Sequence, residues 1–394
     1  MPARRIKEDI YSVGVIDWDR TLFDALIPLP YGTSYNSYLV RGKDKVALID
    51  TVDPSKTQLL LDNLVELGLP SIDYVISNHA EQDHSGSIPT ILEQFPKSQL
   101  ITHKKGLDIL QTLLKLPANR IQLIEDRQTI ALGGKTLQFI FAPWVHWPET
   151  MFTYLVEDKI LFSCDLFGSH LASSKMFATE NENTMREMKR YYAEIMMPFS
   201  AKISKHLETL ASFEISLIAP SHGPLHDDPR QVIAAYQEWI SPHPKNEAVL
   251  LYVSMHGSTE HIAHYLIESL SRKNISVQPF NLISVDLGEL AMALVDSATV
   301  LIASPAVLMG PHPLAIYAAY LLSILKPKTK WVGILGSFGW GNKMVDQISN
   351  MLRDLSIEFL PPVLIKGYPD EKAYLEIQQL ADTIEQKHQL IFSV

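Results

Sequence analysis

A chain of 394 residues is too long for one ordinary compact domain and fits two, each able to bury its own core. Hydrophobic residues at 46% and charged residues at 20% are close to average usage, which excludes a disordered or fibrous chain; the formal net charge of −10 excludes the cationic footprint of a nucleic-acid binder. The single cysteine, Cys164, excludes an intrachain disulfide, a four-cysteine iron site and an iron–sulfur cluster, so any such electron carrier must be a separate protein. Residues 1–10 are charged and no later apolar stretch reaches spanning length, so a cytoplasmic protein with no membrane segment is expected.

In chain order, residues 1–245 read as short β-rich pieces: Tyr35–Val40, Val46–Ile49, Tyr74–Ile76, Ser98–Thr102, Thr136–Phe141, Thr153–Val156 and Lys159–Phe162. Turn signals such as Arg41-Gly42-Lys43-Asp44 and Gly133-Gly134 separate them. Helical patterns cover Lys56–Leu67, Met185–Leu210 and Pro229–Trp239. The prolines of Ser241-Pro242-His243-Pro244-Lys245 end the last of these and mark the domain boundary. Residues 246–394 then alternate strand and helix, with strands near Ala248–Val253, Ile275–Pro279, Thr299–Ile302, Trp331–Leu335 and Val363–Lys366. That alternation predicts an α/β doubly wound parallel sheet. Pro313–Leu325 reads as a buried helix.

The densest chemistry is His79-Ala80-Glu81-Gln82-Asp83-His84, four potential metal ligands in six residues directly after the apolar run Tyr74–Ile76. Further candidates stand at later strand ends: His146 past Phe141, Asp165 past Cys164, and His222 after Leu217-Ile218-Ala219-Pro220-Ser221. A lone histidine is more often a packed residue than a ligand. The cluster, with three further candidates at strand ends, reverses that weighting.

A strand that ends in such a turn resembles the metallo-β-lactamase fold, an αββα sandwich whose zinc hydrolases carry His-x-His-x-Asp-His. Glu81 in place of the second His shifts the set toward mixed nitrogen and oxygen donors, which suits iron. The chain thereby resembles the flavodiiron proteins, or A-type flavoproteins. The resemblance implies one iron held by His79, Glu81 and His146, a second held by Asp83, His84 and His222, and Asp165 bridging the two non-haem ions. It also places His170 and Tyr192 among the residues of the reaction pocket. Trp144, Trp147, Pro143 and Pro148 are expected to fix the backbone around His146 and exclude water.

In the second half, strand Val249–Val253 runs into Ser254-Met255-His256-Gly257-Ser258-Thr259 and a helix from Glu260 to Leu270. Hydroxyls, a glycine and a helix N-terminus make a phosphate cradle. Neither Gly-x-Gly-x-x-Gly nor a Walker lysine is present, which points away from dinucleotides and ATP. A flavodoxin-like FMN site fits better. Two later strand-end loops, containing Ser304, Pro305, Ala306, Val307 and Leu308, and Ser337, Phe338, Gly339, Trp340 and Gly341, flank the isoalloxazine ring in such folds. Trp340 is the stacking candidate.

The family resemblance implies reduction of O2 to water, of NO to N2O, or of both. Reduced FMN and two ferrous ions together carry the four electrons that O2 requires. Electrons would arrive from an external donor such as rubredoxin or coenzyme F420. A head-to-tail homodimer is implied, and pairing of dimers into tetramers is left open. Many members carry Phe-His-Gly-Tyr where this chain has Phe23-Asp24-Ala25-Leu26, followed by the apolar Ile27-Pro28-Leu29-Pro30, so a pocket histidine is replaced. The alternatives are a zinc-dependent glyoxalase-type hydrolase fused to a flavodoxin domain, and a flavodoxin-like electron carrier whose first domain has lost its metals.

Overall fold

The turn at Gly42–Asp44 reverses the chain between strands Tyr38–Arg41 and Val46–Ile49, which pair antiparallel with Leu39 opposite Leu48. Alternation then decides which way each side chain faces. Tyr38, Val40, Ala47 and Ile49 join a core shared with Phe139, Leu155, Phe162 and Ala219 of another sheet. Leu39 and Leu48 pack on the other face against Leu60, Leu64, Ile88, Ile91 and Leu110 of helices. Sheet therefore stacks on sheet, with helices outside.

The computed structural model describes residues 2–392. They form two units, Met1–Tyr192 with Phe199–Ile240, and Ala193–Pro198 with Ser241–Val394. In the first unit, one sheet runs in the order Arg4–Lys7, Ile10–Ser12, Tyr38–Arg41, Val46–Ile49, Tyr74–Ile76, Gln99–Thr102, Ile121–Leu123. The other runs Thr129–Ala131, Thr136–Phe141, Met151–Leu155, Ile160–Cys164, Leu217–Pro220. Several of these edge pieces, including Arg4–Lys7, Ile10–Ser12 and Ile121–Leu123, fall outside the sequence expectation; they are three or four residues long and half exposed, so hydrophobic alternation barely registers in them.

The single helix expected over Met185–Leu210 is corrected. The chain is α-helical over Thr184–Tyr191, widens into a π-turn at Tyr192–Met196, tightens to a 3-10 turn at Met197–Phe199 and resumes as an α-helix at Ser200–Leu210. Pro198 lacks the N–H that an unbroken helix needs, so the break has a covalent cause.

The second unit is a parallel sheet in the order Ser276–Asn281, Lys245–Tyr252, Ser297–Val307, Trp331–Phe338, with Glu358–Phe359 and Val363–Lys366 both pairing on the last of these. Leu250, Leu301 and Leu335 pack against Ile262, Leu266, Ile377, Leu380 and Ile384 of the covering helices. The first strand lies inside the order, the arrangement that opens a crevice at the carboxyl ends of a doubly wound sheet. Helix Pro313–Leu325 forms as expected, but Tyr317, Tyr320 and Ile324 are exposed, so only one side of it is buried. Among the described residues, no helix is long and apolar enough to cross a membrane.

Candidate functional site

After strand Tyr74–Ile76 the Ser77 hydroxyl donates to His79 O at 3.0 Å and the Ser85 hydroxyl to Ala80 O at 2.6 Å. Such side chain-to-backbone bonds favour a turn over continued strand. The turn and the short helix Gln82–Ser85 that follows gather four donor side chains at one end of the sandwich. Three other strand ends deliver His146, Asp165 and His222 to the same place.

There the seven residues separate into two sets that share Asp165. His79 Nε2 stands 3.1 Å from Glu81 Oε2 and 3.5 Å from Asp165 Oδ2, and His146 Nε2 stands 3.2 Å from both of those oxygens. On the other side, Asp83 Oδ2 lies 3.2 Å from His222 Nε2 and Asp83 Oδ1 lies 3.3 Å from His84 Nε2. Asp165 Oδ1 completes this set at 3.2 Å from His84 and 3.4 Å from His222. Donor atoms held about 2.1 Å from one ion at near right angles lie roughly 3 Å apart, which is the spacing in each set.

Several of these atoms are buried and make no hydrogen bond among the described residues: both oxygens of Asp83, Asp165 Oδ1 and His84 Nε2. Buried polar atoms left this way cost stability unless a cation satisfies them. The donor set therefore fits two metal ions. Burial pushes the Asp165 carboxyl up, but the charge of His84 and the hydrogen bond from His146 outweigh it and hold the group well below the carboxylate range. Glu81 is likewise lowered, its bonds to His146 and His79 overcoming burial. Burial lowers His84, yet Asp165 and Asp83 raise it to about 9. In the metal-free pocket such histidines hold protons as counter-charges, and metal binding would displace them.

The backbone around the group is forced. Asp50, Trp144, His146, Cys164 and Phe167 all have positive φ, at 54°, 70°, 34°, 50° and 69°. Non-glycine residues adopt that region only when the surroundings impose it. Cys164 lies within reach of His84 and Asp165, but burial raises its thiol far above the usual range and leaves it protonated.

A further layer fixes the imidazoles. His79 Nδ1–H donates to Glu149 at 2.7 Å and His222 Nδ1–H donates to Ser34 O at 2.6 Å, which leaves each Nε2 lone pair for the site. Glu149 is ionised: burial raises it, but the bond and charge of His79 and the Ala80 N–H prevail. Trp147 packs edge-on against His79 with ring centroids 5.0 Å apart. Trp144 does not serve the site as expected; its ring is stacked on Phe199 and stays largely exposed.

His170 is buried beside His222, with centroids 4.9 Å apart, and its Nδ1 lies 2.9 Å from Thr33 Oγ1. Burial and the charge of His222 push its pKa well down, so it is neutral. Tyr192 is a correction. Its ring packs on Tyr236 and Trp239 and its hydroxyl meets Ser200 at 3.0 Å. The residue at the site is Tyr191, whose ring lies 4.8 Å from His170 and 5.8 Å from His222. Spacing could have favoured it only if the break after Tyr191 had been read from Pro198. Phe23 covers the same group, 4.9 Å from His170. The Asp24 and Ala25 that follow are both left-handed, at φ 50° and 52°, and burial together with Glu81 and Asp83 raises the Asp24 carboxyl.

In the second unit a cavity of about 290 Å3 opens at the carboxyl ends of the strands. Ser254, Met255, His256, Ser258, Thr259, Pro305, Ala306, Ser337, Phe338, Gly339 and Trp340 line it. Gly257, at φ 86°, turns the chain into helix Ser258–Ser271 and brings that N-terminus to the pocket. The hydroxyls of Thr259 and Ser337 lie 2.9 Å apart. Three expected residues are placed otherwise. The Ser304 hydroxyl donates to Pro305 O and accepts from His312 N–H, Val307 pairs with Gly310, and Leu308 is 92% exposed at the tip of that hairpin. Gly341 is outside the lining, whereas Gly367, which no sequence signal marked, is part of it.

Comparison with known proteins agrees with this fold. A family model described as "ODP family beta lactamase" matches residues 33–223. The chain is 31% identical over 374 residues to a flavo-diiron protein of Clostridium acetobutylicum, covering 91% of this chain and 92% of that one. The chain belongs to the flavodiiron protein family. This flavodiiron protein is also 34% identical over 363 residues to a nitric oxide reductase of Moorella thermoacetica, covering 90% of each. Its structure resembles that of rubredoxin oxygen:oxidoreductase from Desulfovibrio gigas, with a TM-score of 0.96, 28% identity and full coverage of both chains. As a flavodiiron protein it is an oxidoreductase.

Proposed function

We propose that this chain reduces O2 to water, NO to N2O, or both, at a carboxylate-bridged diiron centre, with electrons passed through FMN from an external donor such as rubredoxin or coenzyme F420. One observation carries the reading: Asp165 presents Oδ2 to one set of donors and Oδ1 to the other. A carboxylate shared in this way holds two ions close enough to act on one small molecule. Four imidazoles and three carboxylates suit iron better than the thiolate-rich or imidazole-only sets of structural zinc.

When bound, the two irons and the flavin supply the redox chemistry. O2 takes up four electrons and four protons to give two waters; two NO take up two of each to give N2O and one water. The chain binds and orients. His79, Glu81 and His146 would hold one ion and Asp83, His84 and His222 the other, and Phe23, His170 and Tyr191 wall the space beside His222. Burial keeps the Tyr191 phenol protonated, so its hydroxyl is available as a hydrogen-bond donor. The second-unit pocket offers a helix N-terminus and the hydroxyls of Ser254, Ser258 and Thr259 to the FMN phosphate.

The working unit in this reading is a cytoplasmic head-to-tail homodimer, with the flavin of one chain serving the irons of the other. Sedimentation of a fully active monomer would count against it. The central test is the metal and flavin content of protein from iron-supplemented cells. About two irons and about one FMN per chain, with gas consumption on an electrode, support the reading. Zinc that persists despite iron supplementation would return the chain to the hydrolases.

A further inference from the structure

We infer that Glu149 is a positioning residue that makes the two metal positions unequal, because it ties a buried anion to His79 while the matching bond from His222 ends on a neutral carbonyl. The inference rests on the diiron reading and deepens it. Glu149 is 2% exposed. Its Oε1 accepts from His79 Nδ1–H at 2.7 Å and from Ala80 N–H at 2.9 Å. Its own backbone carbonyl accepts from His103 Nε2–H at 2.6 Å, and the His103 ring lies against Phe141 with centroids 4.3 Å apart. The residue is thus held at its backbone carbonyl and at carboxylate Oε1. Among the described residues Oε2 has no hydrogen-bond partner, and His79 is the one side chain bonded to this anion.

The two sets match in their ligating carboxylates, and the buried Asp50, bonded to Asn78, faces both His84 and His79. Glu81 serves the first and Asp83 the second, and Asp165 is shared. What differs is the acceptor behind the imidazole: a carboxylate behind His79, the Ser34 carbonyl behind His222 at 2.6 Å. An anion behind a ligating histidine draws on its Nδ1 proton and makes Nε2 a stronger donor. The ion at the His79 position is then held more tightly and its ferric state is favoured. From the diferrous centre, a one-electron oxidant such as ferricyanide takes its first electron there, converting Fe(II) to Fe(III) with no proton transferred and leaving the His222 position ferrous.

The experiment is a redox titration of the holoenzyme followed by electron paramagnetic resonance, with chelator-driven iron release measured in parallel. Glu149→Gln keeps the size and the acceptor oxygen but removes the charge. The lower of the two one-electron potentials should rise by about 59 mV for each tenfold of ferric preference lost, while the upper one stays. One iron of the pair should bind roughly 10–100-fold more weakly. Glu149→Asp, which restores the anion, should recover most of both effects. Unchanged potentials and iron release in a folded Glu149→Gln protein, or equal movement of both potentials, overturn the inference. A measurement on the wild type stands apart from folding of the variants: the half-oxidised protein should give separate ferric and ferrous Mössbauer doublets, and one averaged doublet overturns it. Wild-type protein that takes up two zinc ions and no iron overturns the diiron reading instead, and chelator release run on zinc still decides the role of Glu149.

Discussion

The metal group and the flavin pocket are built by opposite means. In the first, seven side chains converge, five of them buried and Glu81 and His146 half-buried, and their unsatisfied oxygens and nitrogens define the ligand. In the second, a helix N-terminus, small residues and exposed rings surround an open crevice, and Trp340 is 85% exposed. Identity of side chains specifies the one site; placement of backbone specifies the other. A buried cluster of charges is unforgiving, since removing one member leaves the rest uncompensated. A pocket of backbone and hydroxyl groups loses affinity in small steps.

The largest expected effect separates the two. Asp165→Ala removes the carboxylate common to both sets, so the protein should lose nearly all its iron. Taken without metal, it should lose about 3–5 kcal/mol of stability as His84 and His146 are left without their partner. Elemental analysis and thermal unfolding check both parts, and retention of one full iron would show that the sets are independent. Trp340→Ala is the counterpart. Loss of an aromatic contact worth about 1.5 kcal/mol should weaken FMN binding roughly tenfold. Stability should stay within about 0.5 kcal/mol because the ring is solvent-exposed. Flavin titration with iron content measured alongside would expose any coupling that blurs the contrast.

How much of each site is legible in the sequence follows the same division. His79, Glu81, Asp83, His84, His146, Asp165 and His222 announce themselves because metal chemistry restricts residue type and because each follows a strand end. In the second unit Ser254–Thr259 is readable for its glycine and hydroxyls, while Gly367 enters the pocket through the pairing of strand Val363–Lys366 with Trp331–Phe338, a long-range register that no local pattern encodes. Val307 and Leu308 are misplaced because a hairpin turn at Leu308–Met309 carries them away, and Ser304 because its hydroxyl is engaged by Pro305 O and His312 N–H. No local pattern marks Glu149, because its partner, His79, is 70 positions away.

The two adjacent tyrosines sharpen the comparison inside the metal unit itself. Tyr192→Phe removes the hydroxyl facing Ser200 and should cost about 1 kcal/mol in stability with gas reduction unchanged. Tyr191→Phe should do the reverse, lowering turnover with little change in unfolding. Stopped-flow reduction and calorimetry on both variants distinguish them, and a silent Tyr191→Phe would mean that the ring, not the phenol, is what the pocket uses.

The smallest effect concerns pH near neutrality, where only part of each titration falls. In the second unit, burial lowers His388 to about 4, its nitrogens held by Thr299 and Asn246. The unfolded chain, titrating near 6.5, binds that proton more readily than the native state. This contribution to stability is therefore complete above about pH 6.5 and is lost as pH falls through about 4. His226 in the first unit, also lowered to about 4 by burial, behaves alike. His84 in metal-free protein has the opposite sign: raised to about 9, it stabilises fully below about pH 6.5, and the contribution disappears as pH rises through 9. Stripped of metal, the first unit should lose stability on both sides of neutrality and the second on the acid side alone. Metal should abolish the alkaline loss, since the imidazole then gives up its proton to ligation in the native state. Unfolding followed from pH 4 to 10, with and without iron, tests this; an alkaline loss that persists with metal bound would place its origin outside the His84 cluster.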